Sequence, residues 1–175
     1  MSASQHIPLL PAEMLEREQR RRNSPWPALW SALDAVMDPE IPVISIWELG
    51  ILQNVELNDG VVAVTITPTY SGCPAMHAIA EDIGIELKRC GYAECEIVTQ
   101  LAPAWSTSWM GAQAQEKLRQ FGIAPPQGAD HDGGIACPHC GSEQVQAISE
   151  FGSTACKALY KCNACAEPFD YFKSF

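Results

Sequence analysis

The chain has 175 residues, 47% of them hydrophobic, which is enough for one core of ordinary size plus a small appendage. Eleven basic and twenty-one acidic residues give a net charge of −10, which disfavours binding to nucleic acid. No segment has the apolar length of a signal peptide or a membrane span, so we expect a cytoplasmic protein without membrane association. Its eight cysteines are then expected to serve metal binding or thiol chemistry rather than disulfides.

The chain opens with residues 1–24, which are polar and mixed in charge and predict a flexible N-terminal segment. Its arginines are expected to form a solvated face beside glutamates: Arg17, Arg20, Arg21 and Arg22. An amphipathic helix is predicted from Pro27 to Met37, ended by Asp38 and Pro39. After an ordered loop, two strands over residues 51–57 and 61–67 are joined by a hairpin turn at Asn58, Asp59 and Gly60.

The second strand leads to a helix that begins near Cys73, carries apolar residues at helical spacing and stops at Gly91. A strand around Cys95 should pair parallel to the strand before Cys73, with Cys95 and Ile97 facing inward. A further helix is expected after a cap at residues 106–108, with Met110, Ala114, Leu118 and Phe121 on one stripe. The sequence therefore predicts an α+β domain over residues 25–123, a small mixed sheet with packed helices.

The last part of the chain has the composition of a linker, residues 124–134, followed by a β module, residues 135–175. This module carries two C-x2-C pairs separated by 21 residues: Cys137 and Cys140, then Cys162 and Cys165. Two residues between cysteines let one tight turn aim both thiolates at a single ion, and two such turns complete a four-sulfur site. We expect a zinc ribbon with a structural metal; iron in a rubredoxin-like site is the alternative, because four thiolates accept either.

Cys73 lies where the strand pattern stops and the helix pattern starts. Pro74 fits the first helical position, so Cys73 is the predicted N-cap, where the helix dipole and unpaired N–H groups should lower the pKa of its thiol. The resulting thiolate could attack electrophiles or bind metal; the alternative is a buried thiol that only packs. His77, one turn further, could pair with the thiolate or act as a co-ligand.

Two more observations limit the chemistry. Cys156 is either a fifth ligand that competes for the ribbon metal or a small buried residue on a ribbon strand. The sequence has no nucleotide-binding, zinc-protease or hydrolase motif, so we do not expect independent catalysis.

Several motifs together resemble the PaaD family of accessory proteins in phenylacetyl-CoA epoxidase systems: residues 38–43, 67–76, 103–110, 149–160 and 167–173. The N-terminal domain also resembles the wider SufT-like iron–sulfur assembly family, whose members carry a cysteine at the position of Cys73. The resemblance places Asp38 and Glu40 in a loop near that cysteine, as ligands or as scaffold.

What the resemblance implies is a maturation subunit of a ring-epoxidising monooxygenase in aerobic phenylacetate degradation. Cys73 would transiently hold iron or an iron–sulfur cluster while loading the reductase or the oxygenase subunit, with the cluster-assembly machinery as a further partner. Two alternatives stay open: an assembly scaffold that binds oxygenase subunits without chemistry, and a small electron-transfer protein with iron in the four-cysteine site.

Overall fold

The computed structural model describes residues 12–127 and 134–175. These residues form four α-helices, one short 3-10 helix and seven strands, an α+β architecture with two small mixed sheets that confirms the predicted fold class. The elements are α1 (Ala12–Asn23), α2 (Pro27–Leu33), β1 (Leu52–Asn58), β2 (Val61–Ile66), α3 (Ala75–Arg89), β3 (Cys95–Thr99), the 3-10 helix (Thr107–Trp109), α4 (Ala112–Gln120), β4 (Ile123–Ala124), β5 (Val145–Ser149), β6 (Lys157–Cys162) and β7 (Pro168–Phe172).

The first sheet has the order β1-β2-β3 and contains both pairing types. β1 and β2 form an antiparallel hairpin closed by Asp59 and Gly60, whose φ angles of 51° and 87° give the turn that matches the right-handed twist of the strands. β3 pairs parallel to β2, because α3 carries the chain back across the sheet. Both pairings are as predicted.

The core of the N-terminal domain lies between this sheet and α3. Alternate residues of β2 are at most 1% exposed: Val62, Val64 and Ile66. In the same core cluster, α3 contributes Ile79 and Ile83, which are fully buried. Complete burial of such a side chain stabilises the fold by about 1.5–3 kcal/mol. Helix α3 is therefore fixed against the sheet, and Cys73 lies in the loop that joins β2 to this helix.

The α2 helix is shorter than predicted. It ends at Leu33, and the following chain crosses to an isolated bridge between Met37 and Ser45. The loop between these elements is not surface-bound, because Ile41 and Ile44 are buried in the core. Tertiary burial of loop residues thus overrides the helical spacing beyond Leu33.

Residues 12–23 lie in the stretch for which the sequence predicts a flexible segment, but they form α1, and Arg17 is only 3% exposed. Its guanidinium lies 4.4 Å from the ring centre of Trp47 and donates hydrogen bonds to the carbonyls of Trp109, Trp47 and Leu52. Arg21 forms an ion pair with Asp34. The expectation of a solvated arginine face is therefore wrong for Arg17, which anchors α1 to the domain.

The predicted cap at Ser106 exists, but it begins the 3-10 helix, where the Ser106 hydroxyl accepts from the N–H of Ser108. Helix α4 starts only at Ala112. Ala114 and Leu118 are buried as predicted, whereas Phe121 is 46% exposed because it follows the last helical residue. Among the described residues, no helix has the length and apolar character needed to cross a bilayer.

The second sheet has the order β4-β7-β6-β5 and joins the two parts of the chain. β4 directly follows α4, yet it pairs parallel to β7 at the end of the ribbon module (residues 135–175). The predicted linker therefore begins within a strand, at Ala124, and its residues 128–133 lie outside the described residues. The ribbon module is thus bound into a sheet that starts in the preceding domain.

Side chains also cross between the ribbon module and the N-terminal domain. Phe172, 1% exposed, belongs to the larger core cluster and lies 5.9 Å from Trp105 between ring centres. The carbonyl of Phe175 accepts from the Thr107 N–H at 3.3 Å and from the Ser106 hydroxyl at 3.0 Å. Cys156 is buried in the same larger cluster.

Candidate functional site

The four paired cysteines of the ribbon module converge on one point. The Sγ atoms of Cys137, Cys140, Cys162 and Cys165 all lie within 4.8 Å of one another. Two of these separations are 3.8 Å, Cys137 to Cys165, and 3.6 Å, Cys140 to Cys162. A tetrahedron with metal–sulfur bonds of about 2.3 Å has edges of about 3.8 Å, so the donor set fits a single four-coordinate ion.

The two turns that carry these cysteines have matching backbone geometry. Gly141 and Ala166 follow the second cysteine of each pair with φ angles of 76° and 67°. In the second turn the Cys165 N–H points at the Cys162 Sγ, at 3.5 Å. This N–H, with that of Ala164, lowers the pKa of the Cys162 thiol to about 7, which favours the metal-binding thiolate at neutral pH.

The chemistry of four sulfurs suits zinc and iron alike. An ion held by all four cysteines has no open position, so its contribution would be to hold β5, β6 and β7 together. Among the described residues this is the one group of three or more potential ligands that is gathered so closely. Cys156 is outside that group, so the structure contradicts the alternative in which it is a fifth ligand of the ribbon metal.

Cys73 lies in the loop between β2 and α3, one residue earlier than predicted, because the N-cap of α3 is Pro74 and the helix begins at Ala75. It directly precedes Pro74, whose φ and ψ of −69° and −23° are already helical, and its carbonyl accepts from the N–H of Met76 at 3.3 Å. The side chain is half-buried and packs against the core of the N-terminal domain. Rigid neighbours therefore hold this thiol at a partly open surface.

The predicted lowering of the Cys73 pKa is wrong. Burial raises the pKa of the thiol above its usual 9.0, and the negative charges of Asp38 and Glu40 raise it further. Hydrogen bonds from the Ala75 N–H and the Thr69 hydroxyl oppose these effects without overcoming them. The thiol is consequently neutral at neutral pH until a positive charge arrives beside it.

The charges of Asp38 and Glu40, which the resemblance assigns to a loop near Cys73, both act on the Cys73 thiol, but the two side chains differ in burial. Asp38 is 6% exposed, and its Oδ1 accepts from the N–H groups of Glu40 and Ile41, both at 2.9 Å. Burial raises the pKa of Asp38, while these N–H groups and the charge of Lys157 oppose the increase. Asp38 thus fixes the loop, and it leaves the exposed Glu40 facing solvent.

His77 does not join this group. Its imidazole is 86% exposed, and Nε2 lies 3.3 Å from a carboxylate oxygen of Glu81. A helix turn places positions four apart on one face, so His77 meets Glu81, whereas Cys73 precedes the helix and does not share that face. The predicted pairing of His77 with Cys73 is absent from the structure.

Sequence reasoning did not connect two buried residues of the ribbon module with the N-terminal domain: Cys156 and Lys157 are 7% and 3% exposed. Burial is the largest cause of the raised pKa of Cys156, and Cys73 makes a smaller electrostatic contribution. Lys157 Nζ lies 4.0 Å from Asp170. The only signal in the sequence was the motif at residues 149–160, since no spacing rule connects these residues to that domain.

Two family models match separate parts of the chain. Residues 27–98 match the iron–sulfur cluster assembly protein family, and residues 124–173 match the PaaD zinc beta ribbon domain. A "Fe-S protein maturation auxiliary factor" of Porphyromonas gingivalis (strain ATCC BAA-308 / W83) is 36% identical over 49% of this chain and 83% of its own length. The Cys73 loop and the four ribbon cysteines lie in different matched regions.

Two solved structures are similar to part of the chain. A domain of unknown function, DUF59, from Bacillus anthracis is 27% identical with a TM-score of 0.48, and covers 59% of this chain and 95% of that one. A conserved hypothetical protein from Thermotoga maritima is 26% identical with a TM-score of 0.44, over 51% of this chain and 89% of that one.

A second sequence relative spans both matched regions. It is a subunit of the "Putative 1,2-phenylacetyl-CoA epoxidase" of Escherichia coli (strain K12), 47% identical over 150 residues, which are 83% of this chain and 90% of the relative. With this identity over most of both proteins, the chain belongs to the PaaD family.

Proposed function

We propose that the chain is an accessory subunit of a phenylacetyl-CoA epoxidase, in which Cys73 takes up iron or an iron–sulfur cluster and passes it to the reductase or oxygenase subunit. Support comes from the name of the Escherichia coli relative and from the iron–sulfur assembly family matched around Cys73. The observation that carries the proposal is the half-buried Cys73 thiol in the loop that leads into α3, on which the negative charges of Asp38 and Glu40 act.

These neighbours suit a cation better than an organic electrophile. Burial, and to a smaller extent the charges of Asp38 and Glu40, raise the pKa of the Cys73 thiol, which suppresses attack on electrophiles, because the thiolate is the nucleophile. The same two charges attract a metal cation, which displaces the proton as it binds. Cys73 is thus inert until its cargo arrives.

The ribbon module has the complementary role in this proposal. Its four sulfurs leave no position for exchange, so its metal stays with the chain and holds the module in shape. The buried contacts of Phe172 and Cys156 then set the module against the core of the N-terminal domain.

The proposal is tested by replacing Cys73 with serine in cells that produce all epoxidase subunits. We expect Cys73→Ser to lower the iron and sulfide content of a purified partner subunit, since an alcohol is a poor ligand for iron. Cys90→Ser is the matched control, because Cys90 is exposed at the far end of α3 and should leave loading unchanged. Fully loaded partners at the normal rate with Cys73→Ser would refute the transfer role and favour a scaffold.

A further inference from the structure

β3 is an edge strand whose outer side has no partner strand in the described part of the chain. The N–H of Gln100 donates to the Ile66 carbonyl at 2.8 Å, which places the even-numbered positions toward β2. Backbone groups alternate sides along a strand, so the N–H and C=O groups of Cys95, Ile97 and Thr99 point outward. These groups make no hydrogen bond to a described residue, so the edge is open to another strand.

The chain after β3 leads into an apolar groove of about 460 Å³. The groove lies between the loop that follows β2 (residues 67–71), the side chains of Leu101 and Trp105, and Phe175 of the ribbon module. Leu101 is 61% exposed and Phe175 is 49% exposed, whereas Trp105 is 5% exposed. Exposed apolar side chains around a concave surface are typical of a contact site.

One polar group that lines the groove lacks a partner. Thr67 is 1% exposed, and its hydroxyl makes no hydrogen bond to a described residue. Its backbone N–H donates to the Ile51 carbonyl at 2.8 Å, so only the side chain is left unpaired. A buried hydroxyl without a partner is costly, so a bound chain that brings a polar group is stabilised there.

The groove shares its loop with Cys73. The Cys73 N–H donates to the carbonyl of Tyr70 at 3.1 Å, and Tyr70 lines the groove. β2 and β3 run parallel, so both strands end at this side of the sheet, where ligands of such sheets commonly bind. A chain that extends along β3 and into the groove therefore reaches the loop that carries Cys73.

The charges along β3 indicate which kind of chain can bind. Glu94 and Glu96 are exposed and form no ion pair with a described residue. These charges would repel the same edge of a second copy, whose net charge is also −10. A segment with lysine or arginine beside the glutamates and a large apolar side chain at the groove matches both features.

We propose that β3 and the groove together bind an extended segment of the epoxidase subunit that receives the cargo of Cys73. The segment adds to β3 as a further strand and places a bulky apolar side chain in the groove beside Trp105. Its basic residues meet Glu94 and Glu96, and one of its polar groups pairs with the Thr67 hydroxyl. The inference rests on the proposed function and adds to it the way in which the recipient is recognised.

The test uses the full chain with its ribbon metal and the purified reductase and oxygenase subunits of the same epoxidase. Amide exchange read by NMR should slow for the outward N–H groups of Ile97 and Thr99 when the recipient is added. At a recipient concentration of about ten times Kd the slowing should be roughly tenfold, because only the unbound fraction exchanges. Thr99→Pro removes an outward N–H without touching the bonds to β2, and it should weaken binding about two- to tenfold, the value of one hydrogen bond.

The groove is tested by Leu101→Asp. A charge at this apolar rim should weaken binding of the recipient roughly tenfold or more, by comparison with the central contacts of other interfaces. Ile148→Asp is the matched control, because Ile148 is 54% exposed on β5, the edge strand of the other sheet, and should bind as wild type does. Glu96→Lys should slow association more than Asp82→Lys, which changes the net charge equally on the exposed side of α3.

Unchanged exchange at Ile97 and Thr99 with every subunit, or equal binding by Leu101→Asp and Ile148→Asp, would overturn this inference. The proposed function is judged separately, because Cys73→Ser should bind the recipient as wild type does and fail only in loading it. Normal binding and loading by Leu101→Asp beside deficient loading by Cys73→Ser would refute the docking surface and leave the transfer role intact.

Discussion

Phe172→Ala should detach the ribbon module from the N-terminal domain. Phe172 is 1% exposed in the larger core cluster and contacts Trp105. Removal of a buried phenylalanine costs about 3–5 kcal/mol, which includes the loss of an aromatic pair worth about 0.5–1.5 kcal/mol. For a chain of this size each kcal/mol corresponds to roughly 2–4 °C, so we expect the melting temperature to fall by about 6–20 °C.

Phe169→Ala is the matched control. Phe169 lies on the same strand and is 4% exposed, but it belongs to the smaller cluster inside the ribbon module, where it stacks on Tyr160 at 5.9 Å. Hydrogen exchange read by mass spectrometry should separate the two. Phe172→Ala should increase exchange in residues 105–110 while the metal-bound cysteine turns stay protected; Phe169→Ala should increase exchange within the ribbon strands instead.

The reasoning would be refuted if Phe172→Ala cost less than about 1 kcal/mol, or if its exchange pattern matched that of Phe169→Ala. Either result would mean that the contact between the ribbon module and the domain contributes little to stability.

Three further outcomes are expected. Ala166→Gly should stabilise the metal-loaded chain by about 0.5–1 kcal/mol in urea unfolding, because Ala166 has a φ of 67°, whereas Ala164→Gly should not; equal effects would contradict this. The free energy of unfolding of Asp38→Asn, relative to that of wild type, should increase as the pH rises from about 4 to 7. Burial raises the pKa of Asp38, so ionisation of this carboxyl destabilises the wild-type fold but cannot occur in the variant; a stability difference that does not change with pH would contradict this prediction. Arg17→Met should cost about 2–4 kcal/mol by leaving buried carbonyls unpaired, while the exposed Arg22→Met should stay within about 0.5 kcal/mol, and equal losses would remove the anchor role.

Local patterns in this chain predicted the structure well. The two C-x2-C pairs predicted a four-sulfur site, and the four Sγ atoms lie within 4.8 Å of one another. The pattern is informative because each turn brings two cysteines together within four consecutive residues. The alternation of β2 and the Asp59-Gly60 turn predicted the hairpin for the same reason. The parallel pairing of β3 followed from the order of strand, helix and strand.

Local sequence patterns could not predict contacts between residues that are far apart in the chain. Arg17 is buried by contacts with Trp109, 92 residues away, so its charge alone predicted the wrong environment. The pKa of Cys73 depends on burial and on Asp38 and Glu40, which outweigh the hydrogen bonds at the start of α3. The sequence left Cys156 either as a fifth ligand or as a small buried residue of the ribbon, and the structure buries it, together with Phe172, in the larger core cluster.

Because β4 pairs with β7, both ends of the ribbon module are attached to the N-terminal domain, and the module is not connected to it by a flexible linker alone. The strand that leaves the N-terminal domain lies beside the last strand of the chain, so the polypeptide between them starts and finishes at one place. If the ribbon metal is withdrawn, the pairing of β4 with β7 still joins the two ends of this segment, so the entropic cost of closing it is already met when an ion binds again. Deletion of residues 135–175 would strip β4 of its neighbour and uncover Trp105, so the N-terminal domain is not expected to behave as a self-sufficient fragment.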